Sequence, residues 1–261
     1  MKENKILLIS ANQHIIPYPV YPIGLAYIST YLKEKLPNYS IQLSDLNLSS
    51  IDEVKKIINE YNPKYIGISF RNVDDVNSYN REYFINHYKK LIESIREVTK
   101  AFIVIGGSGF SIFPELMYKK LNPDFGIYGE GEESFLKLIN ALDNNDDYTS
   151  ISRLIYSKNG QCIFNKKESY FSDLSLDFDE SIIDFYWQRS GMLNIQTKRG
   201  CPYNCIYCTY PVIEGKKVRT LNTDKIVQTL KTLYYQKGID YVFFTDSVFN
   251  IKNDYNYELA E

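Results

Sequence analysis

Short apolar runs alternate with stretches of helical periodicity through about the first 140 residues. Residues 5–10 (KILLIS) carry a continuous apolar run followed by polar and proline-rich positions, as a buried strand and its loop do. Residues 21–36 then place apolar side chains at helical spacing, with Pro22 near the start and Pro37 after the end. The alternation repeats. IQLSDL at 41–46 precedes a helix over 51–61, and YIGISF at 65–70 precedes one at about 82–99. AFIVIGG at 101–107 precedes a short helix beginning near Pro114, and DFGIYG at 124–129 precedes a helix over about 132–142. Five strands alternating with five helices predict a parallel sheet covered on both faces. Right-handed crossovers make it a doubly wound, flavodoxin-like or Rossmann-like α/β domain.

The pattern changes after the polar link Asn144-Asn145-Asp146-Asp147. Residues 153–157 and 161–165 flank Lys158-Asn159-Gly160, whose Asn-Gly pair favours a tight hairpin turn. An acidic, irregular stretch is expected over 172–184, then a strand at 192–197, a helix over about 223–236 and a strand at 241–246. The organisation read from this is a first domain over 1–145, a hairpin and linker over 146–190, and a second βα series over 191–261.

Composition narrows the class. The chain has 261 residues, 44% hydrophobic and 24% charged, with a net charge of −2 and no clustering of its basic residues. No basic stripe of the kind that tracks nucleic acid is present, and no apolar run reaches the roughly 18 residues of a membrane span. The opening MKENKILLIS has an apolar run too short for a signal peptide and no small-residue cleavage site. Four cysteines, three of them within 201–208, do not make a disulfide framework. That usage points to a reducing compartment, the cytoplasm.

The candidate chemistry lies in Lys198-Arg199-Gly200-Cys201-Pro202-Tyr203-Asn204-Cys205-Ile206-Tyr207-Cys208. Three thiolates spaced C-x3-C-x2-C on a loop can hold three corners of an iron–sulfur cube and leave one iron open for a substrate. Structural zinc is the alternative, but it asks for four protein ligands. Neither His14 nor His87 is near in sequence, and Cys162 stands apart in the hairpin.

This loop resembles the CxxxCxxC signature of the radical S-adenosylmethionine superfamily, with Tyr207 as the aromatic before the last cysteine. The resemblance implies a [4Fe–4S] cluster on Cys201, Cys205 and Cys208 at the end of the first strand of a partial (β/α)6 barrel. It also implies that S-adenosylmethionine chelates the open iron and is cleaved by one electron to a 5′-deoxyadenosyl radical. Tyr207 would pack near the adenine, or be a simple loop aromatic. The family places a polar motif after the second barrel strand, at the methionine end. Here that position reads Thr245-Asp246-Ser247, without the usual glycines, so Asp246 and Ser247 are candidate contacts and Asp246 could equally be an ordinary strand-end residue.

In the first domain, glycines stand where open α/β sheets bind ligands, at the carboxyl ends of strands: Gly106-Gly107-Ser108-Gly109 and Gly129-Glu130-Gly131-Glu132. No GxGxxG follows the first strand, which argues against NAD or FAD. The order of PVYPIGLAYISTYL, ISFRNVDD, VIGGSGFSIFPE, YGEGEESF, TKRGCPYNCIYCTYPVIEG and FTDSVFN resembles the cobalamin-binding branch of the superfamily. Within it, the blocks are similar to a subgroup labelled lipid-biosynthesis B12-binding proteins. That resemblance makes Ser69, Gly106, Gly107, Ser108, Gly109, Glu130 and Gly131 candidate cobalamin contacts. His14 is in register with the cobalt-binding imidazole of the older DxHxxG element, but Asn12 stands in place of its Asp and no Gly follows. His14 therefore reads as a loop histidine, and cobalamin as bound without a protein imidazole; a domain that no longer binds it is the alternative.

The implied reaction is methylation of an unactivated carbon, or of phosphorus, with ring formation or rearrangement as the other enzymatic reading. A small-molecule or lipid-like substrate and an electron donor such as flavodoxin or ferredoxin would be its partners. A barrel of six βα units takes roughly 180 residues, whereas 70 follow Gly191. The second series is thus expected to be an incomplete barrel with an open edge at 241–246, and a non-catalytic cofactor-binding fragment is the reading outside the enzyme class.

Overall fold

Ile6, Leu7, Leu8 and Ile9 have no solvent exposure, which a strand achieves only when helices cover both faces of its sheet. They belong to β1 (Asn4–Ser10). The structure, a computed structural model, describes residues 4–166 and 173–261. Along the first part of the chain β1 is followed by α1 (Ile23–Lys35), β2 (Tyr39–Asp45), α2 (Ile51–Tyr61), β3 (Tyr65–Ser69) and α3 (Ile85–Val98). Then come β4 (Phe102–Gly106), α4 (Ser108–Ile112), α5 (Pro114–Leu121), β5 (Phe125–Ile127), α6 (Glu132–Asn144), β6 (Leu154–Lys158) and β7 (Gln161–Phe164). The remainder holds α7 (Glu180–Ser190), β8 (Leu193–Ile195), β9 (Lys198–Arg199), α8 (Tyr210–Ile213), β10 (Arg219–Thr220), α9 (Thr223–Lys237), β11 (Val242–Phe244) and α10 (Asn253–Ala260).

The chain forms two compact units, one of residues 1–14 and 32–169, the other of 15–31 and 170–261. In the first, the sheet order is β2-β1-β3-β4-β5-β6-β7. The first five strands are parallel, the flavodoxin-like order, with its switch point between β1 and β3. β6 and β7 continue the sheet antiparallel beyond β5. The expected hairpin is therefore part of the first sheet. Its turn residues Asn159 and Gly160 both have positive φ, 52° and 77°, the geometry an Asn-Gly turn supplies. Helix starts follow local chemistry: Ser50 and Glu53 make a reciprocal capping box at α2, while Val54 and Ile58 face the core.

Two expectations need correction. A single short helix was expected after β4, but α4 forms first and Phe113 separates it from α5. The irregular stretch expected to run to residue 184 gives way to α7 at Glu180, because Asp179 caps the helix and Ile182, Ile183 and Tyr186 give it one buried face. Ser172, where that stretch was expected to begin, lies outside the described residues.

In the second unit, β8 and β11 pair in parallel and β9 and β10 antiparallel. The Tyr21 ring packs on Phe178 at 4.9 Å and on Tyr186 at 5.3 Å, and its hydroxyl accepts from Asp179 N at 2.8 Å. Thr30 Oγ1 accepts from Asp177 N at 3.0 Å, so the start of α1 is bound into this unit by both apolar and polar contacts. Among the described residues, no helix is long and apolar enough to cross a membrane.

Candidate functional site

The β9–β10 ladder pairs Arg219 with Arg199 and Thr220 with Lys198, closing the chain between into one loop that carries the three cysteines. Gly200 begins it at φ +89°, and a Cβ there would stand 2.2 Å from Lys217 O. Only glycine permits both the left-handed turn and that approach. Cys201 N then donates to Gly215 O at 3.0 Å and Cys208 N to Cys205 O at 3.2 Å, folding the loop back on itself. Cys201 is buried, Cys205 exposed and Cys208 between the two, and none is in a disulfide. Among the described residues, no three His, Cys, Asp or Glu side chains surround a single ion position. A cube differs in its demand, since its corners are separate irons and each takes one thiolate. The donor set of three free thiols on one exposed loop fits that group. Tyr207, beside Cys208, is 86% exposed, an aromatic face turned to solvent at the loop.

Around the loop stands a polar network that sequence reading did not anticipate. Asp246 Oδ1 accepts from Thr197 N at 2.6 Å and from Lys198 N at 3.0 Å, while Thr197 Oγ1 donates to Oδ2. Lys198 Nζ adds an ion pair at 3.4 Å. Asp246 thus fastens the carboxyl end of β11 to that of β8, and its carboxylate is fully engaged there rather than turned outward to a ligand's ammonium. Ser247, the next residue, donates its hydroxyl to Glu214 Oε2 at 2.8 Å. The same oxygen accepts from Gly200 N at 3.0 Å, and Oε1 accepts from Gln196 Nε2 at 2.7 Å. Gln196 Oε1 in turn accepts from Arg199 Nε at 2.9 Å, and the guanidinium lies 5.0 Å from the Tyr27 ring centre. Lys198 and Arg199, which the sequence places at the start of the cysteine segment, prove to be buried.

In the first unit, the predicted residues gather at the carboxyl ends of β3, β4 and β5. Ser69 and Gly106 are register partners at the ends of β3 and β4. Gly107 turns at φ +99° so close to β3 that a Cβ would meet Phe70 O at 2.5 Å and Ser69 Oγ at 2.9 Å. Ser108 Oγ donates to Arg71 O at 3.0 Å, and a Cβ on Gly109 would stand 2.9 Å from that same oxygen. Ser111 joins this loop to the next, accepting from Gly129 N at 2.7 Å and donating to Gly107 O at 2.7 Å. The Glu130 side chain is 8% exposed and ion-paired with Arg153 at 3.5 Å, so its charge serves the β5–β6 junction, and Gly131 is the N-cap of α6. At the end of β1, Asn12 Oδ1 is buried with no hydrogen-bond partner among the described residues, while Asn12 Nδ2 reaches the His14 backbone carbonyl at 3.3 Å. Asn12 therefore does not orient the His14 imidazole. A glycine cradle and an unpaired buried acceptor at the switch point fit a polar ligand seated over the sheet, such as the side chains of a corrinoid.

Two family models match, the B12 binding domain over residues 14–139 and the radical SAM superfamily over residues 195–261. The chain thus carries, in this order, the two family-model domains that define the cobalamin-binding radical S-adenosylmethionine proteins. It is 28% identical over 268 residues to an uncharacterized methyltransferase of Pyrococcus horikoshii, covering 96% of this chain and 55% of that protein. It is 22% identical over 307 residues to the tryptophan 2-C-methyltransferase of Streptomyces laurentii, covering 96% of this chain and 50% of that one. Among solved structures, the radical S-adenosylmethionine methyltransferase TsrM of Kitasatospora setae, with tryptophan and a SAM analog bound, superposes with a TM-score of 0.84. The two are 25% identical, over 98% of this chain and 50% of that one. The chain thus spans about half the length of the relatives it matches. The B12-binding match takes in β2 to β5 of the doubly wound sheet, and the radical SAM match takes in the cysteine loop and β11.

Proposed function

We propose that this chain is the cofactor-binding part of a cobalamin-dependent radical S-adenosylmethionine methyltransferase acting on an unactivated carbon or on phosphorus. In this reading the cofactor regions are residues 1–145 and 191–261, joined through the hairpin and linker over 146–190. The observation that carries it is the Gly200 turn presenting three free thiols on one loop, in a chain that also holds a complete flavodoxin-like sheet. Cys201, Cys205 and Cys208 would hold a [4Fe–4S] cluster, and Tyr207 and Ser247 would bound the S-adenosylmethionine beside it. Ser69, Gly106, Gly107, Ser108, Gly109 and Gly131 would line the cobalamin, with Glu130 holding the loop through Arg153. When bound, these cofactors supply a one-electron cleavage of S-adenosylmethionine and a transferable methyl group. The protein's own share is to fix the loops and to shield the site from water. A small organic substrate and a low-potential flavodoxin or ferredoxin as electron donor complete the reading.

Anaerobic reconstitution with iron and sulfide tests it. About four irons per chain and a broad band at about 400 nm are expected, as ligation by three thiolates implies. Both should vanish when Cys201, Cys205 and Cys208 become Ala and persist in Cys162→Ala. A cluster retained by the triple variant overturns the reading.

A further inference from the structure

Of the two carboxylates beside the cysteine loop, one is spent and one is not. Asp246 receives two backbone amides, the Thr197 hydroxyl and the Lys198 ammonium, so both its hydrogen-bonding capacity and its charge are balanced. Glu214 receives only neutral donors: Gln196 Nε2 at 2.7 Å, Gly200 N at 3.0 Å and Ser247 Oγ at 2.8 Å. Among the described residues, no Lys or Arg side chain pairs with its carboxylate; Arg219 reaches its backbone carbonyl instead, at 2.8 Å. A carboxylate has about four acceptor positions, so one of them and a whole negative charge are left over.

Its three partners also fix where that charge stands. Gly200 precedes the first cysteine, Gln196 follows β8 and Ser247 follows β11, so the carboxylate sits where the cysteine loop meets the carboxyl ends of both strands. Because Ser247 spends its proton on Glu214, its oxygen can meet a ligand only as an acceptor. An acceptor oxygen next to an unpaired carboxylate recognises a cation that also donates hydrogen bonds, which describes a primary ammonium.

We infer that Glu214, aided by the acceptor oxygen of Ser247, receives the ammonium of S-adenosylmethionine, and that Asp246 is a structural clamp. The inference rests on the proposed radical S-adenosylmethionine function, and cluster content reports on that function separately from ligand affinity. The anaerobically reconstituted chain would be titrated with S-adenosylmethionine and with its desamino analogue, binding being read by calorimetry and by the change in the cluster's EPR spectrum. Glu214→Gln keeps the side-chain shape, holds its iron, and should bind S-adenosylmethionine at least about tenfold more weakly, as loss of one member of a charge pair does. It should also lose much of the parent's preference for S-adenosylmethionine over the desamino compound, a coupling that a purely structural role would not produce. A Gln variant with full iron and unchanged affinity and preference overturns the assignment. If Glu214→Gln cannot hold a cluster, Glu214→Asp is read in the same way: a reduced preference supports the assignment and an unchanged one overturns it. Failure of the unsubstituted chain to take up iron would instead sink the functional reading itself.

Discussion

Lys198 Nζ lies 3.4 Å from Asp246 Oδ2, with the two side chains 1% and 0% exposed. Burial pushes the Lys198 ammonium below its usual range against the pull of Asp246. The rest of its surroundings compensate: Asn256 Oδ1 accepts at 2.7 Å, and the Phe249 and Tyr255 rings lie 4.5 and 5.0 Å from the charge. One lysine thereby ties the segment before the cysteines to β11 and to α10.

Asp246→Asn should be strongly destabilising for the second unit, because it leaves a buried ammonium without its counter-charge. A loss of about 3–5 kcal/mol is expected from breaking one partner of a buried pair. Limited proteolysis checks it: new cleavages should appear within 192–260 while the first unit stays intact. Equal protection of both units in the variant would show that the ion pair is dispensable.

Gly107 and Ser108 separate folding from ligand binding in the first unit. A Cβ on Gly107 meets backbone atoms of Phe70 at 2.5 and 2.8 Å and sits at positive φ, so Gly107→Ala should lower stability by roughly 1–3 kcal/mol. Among the described residues, the Ser108 hydroxyl bonds only to Arg71 O, and that bond is exposed. Ser108→Trp should therefore leave the unfolding midpoint nearly unchanged and weaken hydroxocobalamin binding by calorimetry. Binding unaffected by Trp would place the corrinoid elsewhere or nowhere in this domain.

Asp143 supplies a pH dependence. Burial raises its pKa, but hydrogen bonds from Lys64 Nζ, the Tyr39 hydroxyl and the Tyr65 hydroxyl outweigh that and hold it below the ordinary carboxylate range. A depressed folded pKa contributes stability that is present above the unfolded value, about 3.9, and is lost as pH falls through the lower folded value. Asp143→Asn should cost about 1–3 kcal/mol at neutral pH, and the gap between variant and parent should close as acid protonates the parent. Urea unfolding at a series of pH values measures it; a gap independent of pH below 4 or so would contradict the assignment.

Much of the architecture was legible because it is local. KILLIS and AFIVIGG read as buried strands from their unbroken apolar runs, and the helix over 51–61 read from its apolar spacing. The helix at Glu180 was hidden by its aromatic and acidic composition, since its burial depends on Tyr21, a residue far away in sequence. The cysteines announced themselves by spacing. Glu214 did not, because its partners Gln196, Gly200 and Ser247 come from three segments that only the fold brings together. The same holds for Asp246, whose strand-end position was readable while the partners that consume its carboxylate were not.

Gly200 offers the sharpest test of the cysteine loop. Its φ of +89° disfavours any other residue, and the oxygen 2.2 Å from a would-be Cβ belongs to the Lys217 backbone, which cannot swing aside like a side chain. Gly200→Ala must therefore open the loop at its base, breaking the bonds from Gly200 N to Glu214 and from Cys201 N to Gly215 O. Cys201 would then no longer be held relative to Cys205 and Cys208, although all three thiols remain. The expected result is a chain that takes up few irons on reconstitution and lacks the visible band, while the first unit binds hydroxocobalamin as before. If Gly200→Ala loads iron as fully as the parent, the loop assembles around the cluster without help from this turn, and preorganisation by Gly200 is unnecessary.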